Sequence, residues 1–539
     1  MDLTWSNSTT VGCSLEDFSP ALIRNLDMDS AKTLIHRHEQ AIALLNNDVE
    51  GLQRSIRQLE FRKMQHQAAI ARCKGMITLA KRMPLELLAV IFEKCAEDGW
   101  TRTPLVVSHV CSQWRKAAKT PSVWSHLYVD FDNKDPLPRT RFWLEMAQTT
   151  QLYVTLNVGS DALQILPTMD LLVSRMSQWR TLIITSDLLI HTNNILSLCM
   201  MPSPILRTVN IYIREDLYGI VDPGVLAEDN HELTGFRNAF PDAPHLNAAS
   251  ITRNIFLSIG ILPVTITNLS LNFPSERTFS RLSMSPVVGV LKGLSSIQQF
   301  AVTLPPSWQE ELIVEESEEE MLVDLLALHT LTLSGPANLF GLLLRLHTPS
   351  LQRLHLRLSN NPSGYPNLGT GRVLREFVAR GSPPLEILDL RDVDIPVTDF
   401  SYCLAGLPCL KELRLHESDI PDVIFDEMNG PDGLCPLLEK LDLRWCGQVS
   451  GRSLVRLIRS RTEPHTIIPS AAFMLGSIRE ITVINCSYIK ETDVIDMAET
   501  TVCRVVMHDA EDYCRTYNRC GAPEFALKKS FRSLWMLSE

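Results

Sequence analysis

The residues with chemical potential are few and scattered. Residues 364–371 read GYPNLGTG. A phosphate-binding loop of this shape needs lysine after its second glycine to reach the phosphates, and then Ser or Thr for the magnesium ion. Those places hold Thr370 and Gly371, and the dinucleotide fingerprint fails at Leu374. The expected role is a turn between structural repeats. His508, Asp509, Glu511 and Asp512 set one imidazole among three carboxylates, a grouping more usual on a solvated surface than around a metal. The 13 cysteines and 14 histidines include no CxxC pair and no ligand spacing, so neither a zinc site nor a disulfide framework is indicated. No GxSxG or HExxH occurs. The chain is expected not to be an enzyme and to need no cofactor and no metal.

Composition points the same way. The 539 residues are 45% hydrophobic and 21% charged, which suits several globular domains or one extended array. The charge is -11, from 51 Lys+Arg against 62 Asp+Glu. Nucleic-acid binding wants a clustered basic surface, so it is not the expected activity. The opening residues carry no basic stretch followed by an apolar core, and no run of 18 apolar residues follows. A cytoplasmic and/or nuclear protein that makes no use of a membrane is expected, with its scattered thiols reduced.

Three kinds of element must therefore carry the function. Residues 1–26 are polar and irregular, and are expected to be disordered. A seven-residue apolar repeat then begins at Met28. Position a reads Met28, Ile35, Ile42, Val49, Ile56, Lys63, Ile70 and Ile77; position d reads Ala31, His38, Leu45, Leu52, Leu59, His66 and Cys73. No proline interrupts the stretch before Pro84. One long helix over 27–77, extending toward residue 82, is expected, with a coiled-coil seam cleanest from Ile42 to Leu59. β-branched residues at a with leucine at d favour two parallel strands. The partner is left open between a second copy of the chain and another part of the same chain, because the e and g positions carry few complementary charges. His38 and His66 are too far apart to chelate one ion and read as register-setters.

Residues 78–128 look like a small helical unit that cannot bury itself. Pro84 opens a helix in which Leu85, Leu88, Phe92 and Cys95 form one stripe, while Leu87, Val90 and Ile91 lie off it. The helix is thus apolar almost all round. A second helix is expected from Thr103, with Val107, Val110, Cys111 and Trp114 on one face, followed by an alternating strand at Leu127, Tyr128 and Val129. So small a unit buries too little surface to stand alone. Its apolar helix implies a second protein on one side.

The order Met83-Pro84-x-Glu86-Leu87-Leu88-x-x-Ile91-Phe92, then Val110-Cys111-x-x-Trp114-Arg115, then Pro121-x-x-Trp124-x-x-Leu127 resembles an F-box, with methionine in place of the usual leucine before the proline. The arrangement is similar to F-box proteins of mushroom-forming fungi, and the match covers about 50 residues. The resemblance implies docking on a Skp-family adaptor and through it on a cullin. Carried over residue by residue, Pro84, Leu87, Ile91, Phe92, Val110, Cys111, Trp114 and Trp124 would build the docking unit. Leu88, Val110 and Trp114 are equally suited to holding its own helices together.

From about 150 to 500 a phrase recurs: apolar-x-x-apolar-x-apolar. It runs from Trp179/Leu182/Ile184 through Leu385/Leu388/Leu390, Leu410/Leu413/Leu415 and Leu438/Leu441/Leu443 to Ile478/Ile481/Val483. Eleven phrases spaced roughly 30 residues apart fit leucine-rich repeats with insertions. The last two extend to Cys446 and Cys486, where such repeats cap the turn that leaves each strand. The expected fold class is therefore α/β: a long coiled-coil helix, a small all-α F-box unit and an α/β leucine-rich-repeat solenoid, closed by a cap or tail over 501–539. In such a solenoid the residues between the strand leucines line one continuous face. Here that face would carry Glu386, Asp389, Lys411, Glu412, Arg414, Glu439, Lys440, Asp442, Arg444, Arg479, Glu480 and Thr482. Of these, Asp389, Lys411, Arg414, Lys440, Asp442 and Arg444 are the expected substrate contacts. An acidic cluster at Glu315, Glu316 and Glu318–Glu320 reads as a solvated insertion. The functional expectation is a substrate-recognition adaptor of an SCF-type cullin–RING ubiquitin ligase acting on a protein substrate. The alternative is a non-degradative interaction scaffold dimerised by its coil.

Overall fold

The computed structural model describes residues 27–77, 83–132, 135–160, 165–214, 233–252, 262–273, 285–305, 322–359, 368–430, 432–462 and 477–506. The expected disordered N-terminus, the acidic cluster at 315–320, residues 78–82 and the His508–Asp512 group lie outside the described residues. The chain divides into two units: Met1–Ile91 with Ser108–Ala117, and Phe92–Val107 with Ala118–Glu539.

In the first unit the heptad stretch forms one helix, α1, over Met28–Ile77. From Ile42 to Leu59 its seam residues stay exposed, from 49% at Val49 to 63% at Leu45. The proline-led segment forms α2, Leu85–Glu97, which runs on into the second unit. The second helix expected after Thr103 is instead two short helices, α3 at Thr103–Ser108, which belongs to the second unit up to Val107, and α4 at Ser112–Ala117 in the first. The break has a local cause. Cys111 sits just before α4, and its Sγ accepts the backbone N–H of Trp114 at 3.5 Å, the place of an N-cap side chain. Arg115 Nε donates to the Ser108 carbonyl across the break at 2.8 Å.

The second unit is built on one parallel sheet. Its strands are β1 His126–Asp130, β2 Leu152–Val158, β3 Trp179–Ser186, β4 Thr208–Ile213, β5 Ala248–Thr252, β6 Asn268–Asn272 and β7 Gln299–Thr303. They continue as β9 Thr330–Gly335, β11 Arg353–Leu358, β12 Ile387–Arg391, β13 Glu412–His416, β14 Lys440–Arg444, β15 Glu480–Ile484 and β16 Val502–Val506. These fourteen strands pair in strict sequence order. The short β8, Val323–Asp324, and β10, Leu346–His347, pair only with each other. All eleven apolar phrases precede or enter a strand of the large sheet, including the degenerate ones before residue 260. The sheet also reaches beyond the expected 150–500 limits, beginning at His126 and ending at Val506.

Parallel neighbours need a crossover between them. Between most of them α-helices supply it: α5 Pro136–Ala147, α6 Ile165–Val173, α7 Leu189–Leu198, α8 Ser285–Lys292, α9 Leu368–Gly381, α10 Val397–Ala405, α11 Asp422–Glu427, α12 Gly451–Thr462 and α13 Glu491–Ala498. From α9 to α13 each packs on the next. The core lies between these helices and the sheet. Leu385, Leu388, Leu390, Leu410, Leu413, Leu415, Leu438 and Leu443 are fully buried. Register aligns Leu354, Leu388, Leu413, Leu441 and Ile481 across five strands. Each such side chain contributes about 1.5–3 kcal/mol of burial, so the phrase spacing drives both strand formation and register.

Of the GYPNLGTG segment, residues 364–367 lie outside the described residues, and the rest is helix where a turn was expected. Leu368–Gly371 opens α9, and Thr370 is buried at 2% exposure. A Cβ on Gly371 would lie 2.8 Å from Pro396 Cδ. The glycine is needed for helix packing.

Candidate functional site

Two surfaces collect the residues singled out by the sequence. The first is the flank of α2. Leu88, Ala89, Phe92 and Ala96 are buried, whereas Leu87, Val90 and Ile91 are 54%, 52% and 43% exposed. Leu85, expected on the inner stripe, is 38% exposed. The inner stripe and the outer flank are both apolar, and only the inner one is covered. In the first unit Val110 is also exposed, at 57%, and Gln113 Nε2 donates to the Met83 carbonyl at 2.9 Å, tying α4 to the start of the α2 segment. Pro84 is exposed, and Cys111 and Trp114 are half-buried.

Two of the eight expected docking residues do not belong to an exposed surface. Phe92 is 2% and Trp124 3% exposed. Trp124 sits edge-on to Trp143 at 4.7 Å and donates its Nε1–H to the Ala118 carbonyl at 2.6 Å. An indole with its N–H satisfied and its ring against a second indole is a core side chain. The motif order placed them in the docking set, but a motif match does not separate core from contact.

The second surface is the face of the sheet opposite the leucines, over β11–β15. Side chains alternate along a strand, so register makes rows there. The centre row is His355, Asp389, Arg414, Asp442 and Thr482. The row toward the strand C-termini is Arg357, Arg391, His416, Arg444 and Ile484. Asp389 accepts both arms of Arg391, at 3.0 Å from Nε and 2.9 Å from Nη2, and faces His355 Nδ1 at 3.2 Å. Asp442 repeats the motif with Arg444, at 2.9 and 2.8 Å. His416 Nε2 lies 3.7 Å from Asp442 Oδ1, beyond hydrogen-bond range. Arg414 Nε donates to Glu412 at 2.7 Å.

These are same-face pairs two residues apart on one strand, and they set the electrostatics. Burial alone would raise the Asp442 carboxyl. The His416 imidazole and the Arg444 guanidinium outweigh it and hold the group at about 2. At Asp389 burial again opposes ionisation, and His355 and Arg391 prevail, holding it well below the ordinary carboxylate range. Burial works against the Arg414 charge, but Glu412, Asp389 and Asp442 together raise it.

The six expected substrate contacts differ in how far they reach solvent. Asp389 is 1% exposed and its carboxylate is consumed by its own strand. Asp442 is largely covered in the same way, with its side chain 17% exposed. Arg414 and Arg444 present only their outer edges, at 34% and 25%. Lys411 and Lys440 are about half exposed, in surface pairs with Glu386 at 2.7 Å and Glu480 at 3.0 Å. Arg391, His355 and His416 belong to the same network and were not singled out. Extending the phrase alignment to the intervening positions of Leu351/Leu354/Leu356 would have found His355.

The face changes character along the sheet. In the centre row, β3 to β9 offer Ile183, Asn210, Ser250, Ser270, Ala301 and Thr332, in register throughout. From β3 onward, this row first carries a formally charged residue at Asp389 on β12. Buried thiols serve structure: Cys446 Sγ donates to the Leu415 carbonyl at 3.3 Å and Cys486 Sγ to that of Leu443 at 3.8 Å, each reaching back to the preceding strand. Burial pushes the Cys199, Cys403 and Cys435 thiols up to about 12, leaving them as thiols at neutral pH. Among the described residues no group of three metal-capable side chains lies together, and no helix is long and apolar enough to cross a membrane.

A scan against protein-family models found no match, and a search of curated proteins found none either.

Proposed function

We propose that this chain is a substrate-recognition adaptor of an SCF-type cullin–RING ubiquitin ligase. In this reading residues 78–128 are an F-box that docks on a Skp-family adaptor, and the parallel sheet is a leucine-rich-repeat-like solenoid that holds a protein substrate. The observation that carries it is the uncovered apolar flank of α2, Leu87, Val90 and Ile91, directly behind a buried stripe and inside the segment whose motif order resembles an F-box. Three neighbouring aliphatic side chains left half-exposed on one helix turn suit a hydrophobic interface core. Pro84 and Val110 are exposed as well and extend the candidate contact set.

The strictly ordered parallel sheet with a helix after most strands, the roughly 30-residue period and the cysteines bonded to the preceding strand support the repeat reading. The mixed-charge rows of β11–β15 suit a protein partner better than a polyanion, since both signs alternate at close spacing. Catalysis would be by proximity: the chain raises the effective concentration of substrate lysines near a charged ubiquitin carrier. Reconstitution with a Skp-family adaptor, a cullin and a RING subunit tests it. Ubiquitin transfer to the chain or to a protein co-purified with it is expected, and is lost with Ile91→Asp. Adaptor binding without any transfer favours the non-degradative scaffold.

A further inference from the structure

We infer that α1 pairs with the α1 of a second copy of this chain, parallel and in register, making the molecule a bivalent homodimer. The inference does not depend on the ligase reading. It rests on the seam Ile42, Leu45, Val49, Leu52, Ile56 and Leu59, whose side chains are 49% to 63% exposed in the single chain. At about 100 Å² of coverable apolar surface per aliphatic side chain, these six offer roughly 600 Å² per helix. Ile35 and Ile70, 57% and 54% exposed, continue the seam toward the ~800 Å² per partner of a specific interface.

The occupant is a second copy because the seam is complementary to itself. β-branched residues stand at every a position from Ile35 to Ile56 and leucine at every d position from Leu45 to Leu59, the combination that selects two parallel strands. The flanking positions do not oppose it. Parallel pairing sets each g residue beside the e residue five further on in the other helix. The pairs are Asp48 with Gln53, Ser55 with Glu60 and Arg62 with Gln67, none of them like-charged. Antiparallel pairing of the same six residues would set Glu39 of one copy beside Glu60 of the other, at both ends of the coil, and like charges there select against it. A parallel coil brings both copies of residue 77 to the same end. Two sheets tethered in this way would hold a multivalent substrate more tightly than one.

Cys73 provides the test. It is an exposed free thiol at a d position, so in the parallel dimer it faces its own counterpart. In the antiparallel arrangement the two thiols would lie about 70 Å apart along the coil. The full-length reduced protein is sized by light scattering and then treated with diamide, which accepts two electrons and two protons as two thiols become one disulfide. The expected mass is twice 60.7 kDa. A covalent dimer should form with wild type and disappear with Cys73→Ser, which still sizes as a dimer. Val49→Glu with Leu52→Glu should size as a single chain with unchanged helix content. A single-chain mass for wild type at tens of micromolar overturns the inference. So does a dimer that survives the double variant, or one whose cross-link does not require Cys73.

Discussion

Asp442 shows how one residue position ties fold to surface. Its carboxylate is held at about 2 against an ordinary 3.8, so the folded state binds its proton less readily than the unfolded chain does. The stabilisation is therefore complete above about pH 4 and lost as pH falls through about 2. Allowing for its partial exposure, the effect is about 1–2 kcal/mol. Asp442→Asn should lower the unfolding free energy at pH 7 by that amount, and the gap to wild type should close below pH 2. Denaturant titrations at both pH values check this, and a pH-independent gap would contradict it. The same pairing changes which residues can probe the substrate surface. Reversing Arg444 would strand Asp442, confounding recognition with stability. Lys411→Glu with Lys440→Glu touches only half-exposed pairs, worth at most about 1 kcal/mol each. It should leave the thermal midpoint within a few degrees while weakening substrate capture in an affinity-purification comparison. An unchanged set of captured proteins would place the substrate elsewhere on the chain. The sequence made the identities of this surface legible, since period two puts residues 389, 414 and 442 on one face. It did not reveal that Arg391 and Arg444 would turn back on their own strands, because that depends on rotamers and burial.

At the scale of elements, the apolar phrases made the strands legible because three buried positions in six residues leave little choice of conformation. Leu413→Ala removes a fully buried side chain flanked in register by Leu388 and Leu441. It should cost about 2–5 kcal/mol in denaturant unfolding, and a loss under 1 kcal/mol would mean that the sheet is not packed as described. The turns leaving the strands were not legible. Asp392, Glu417, Trp445 and Asn485 each take φ of 54° to 55° directly after β12 to β15. This left-handed conformation usually signals itself with glycine, and none is present at these positions. Holding a side chain there costs about 1–2 kcal/mol, offset by backbone bonds such as Glu417 N–H to the Arg444 carbonyl at 2.7 Å. Glu417→Gly should accordingly be neutral or stabilising by up to about 1 kcal/mol, the reverse of glycine within a strand. A loss above 1 kcal/mol would assign the Glu417 side chain a role of its own. The division of the expected second helix into α3 and α4 was hidden for a similar reason: a cysteine acting as a helix cap carries no compositional signal.

Across the whole molecule, one chain joins an exposed heptad helix, a helix with one covered and one uncovered apolar face, and a fourteen-strand parallel sheet with a mixed-charge face over β11 to β15. Architecture was legible at this scale because each part has its own period: seven for α1, two within the strands, and roughly thirty between them. Which apolar residues face a partner was not legible, because Phe92 and Ile91 are adjacent and chemically alike, yet one is 2% and the other 43% exposed. Adaptor docking is the central claim, and it reduces to the uncovered face of α2. The direct measurement is a calorimetric titration of the full-length chain with a purified Skp-family adaptor, comparing wild type with Ile91→Asp and Leu87→Asp. Placing an unpaired carboxylate in the interface should cost about 3 kcal/mol or more. Wild type should bind saturably and each variant at least a hundredfold more weakly, with circular dichroism and thermal midpoint retained because both side chains point away from the core. No binding by wild type, or equal binding by correctly folded variants, would contradict it.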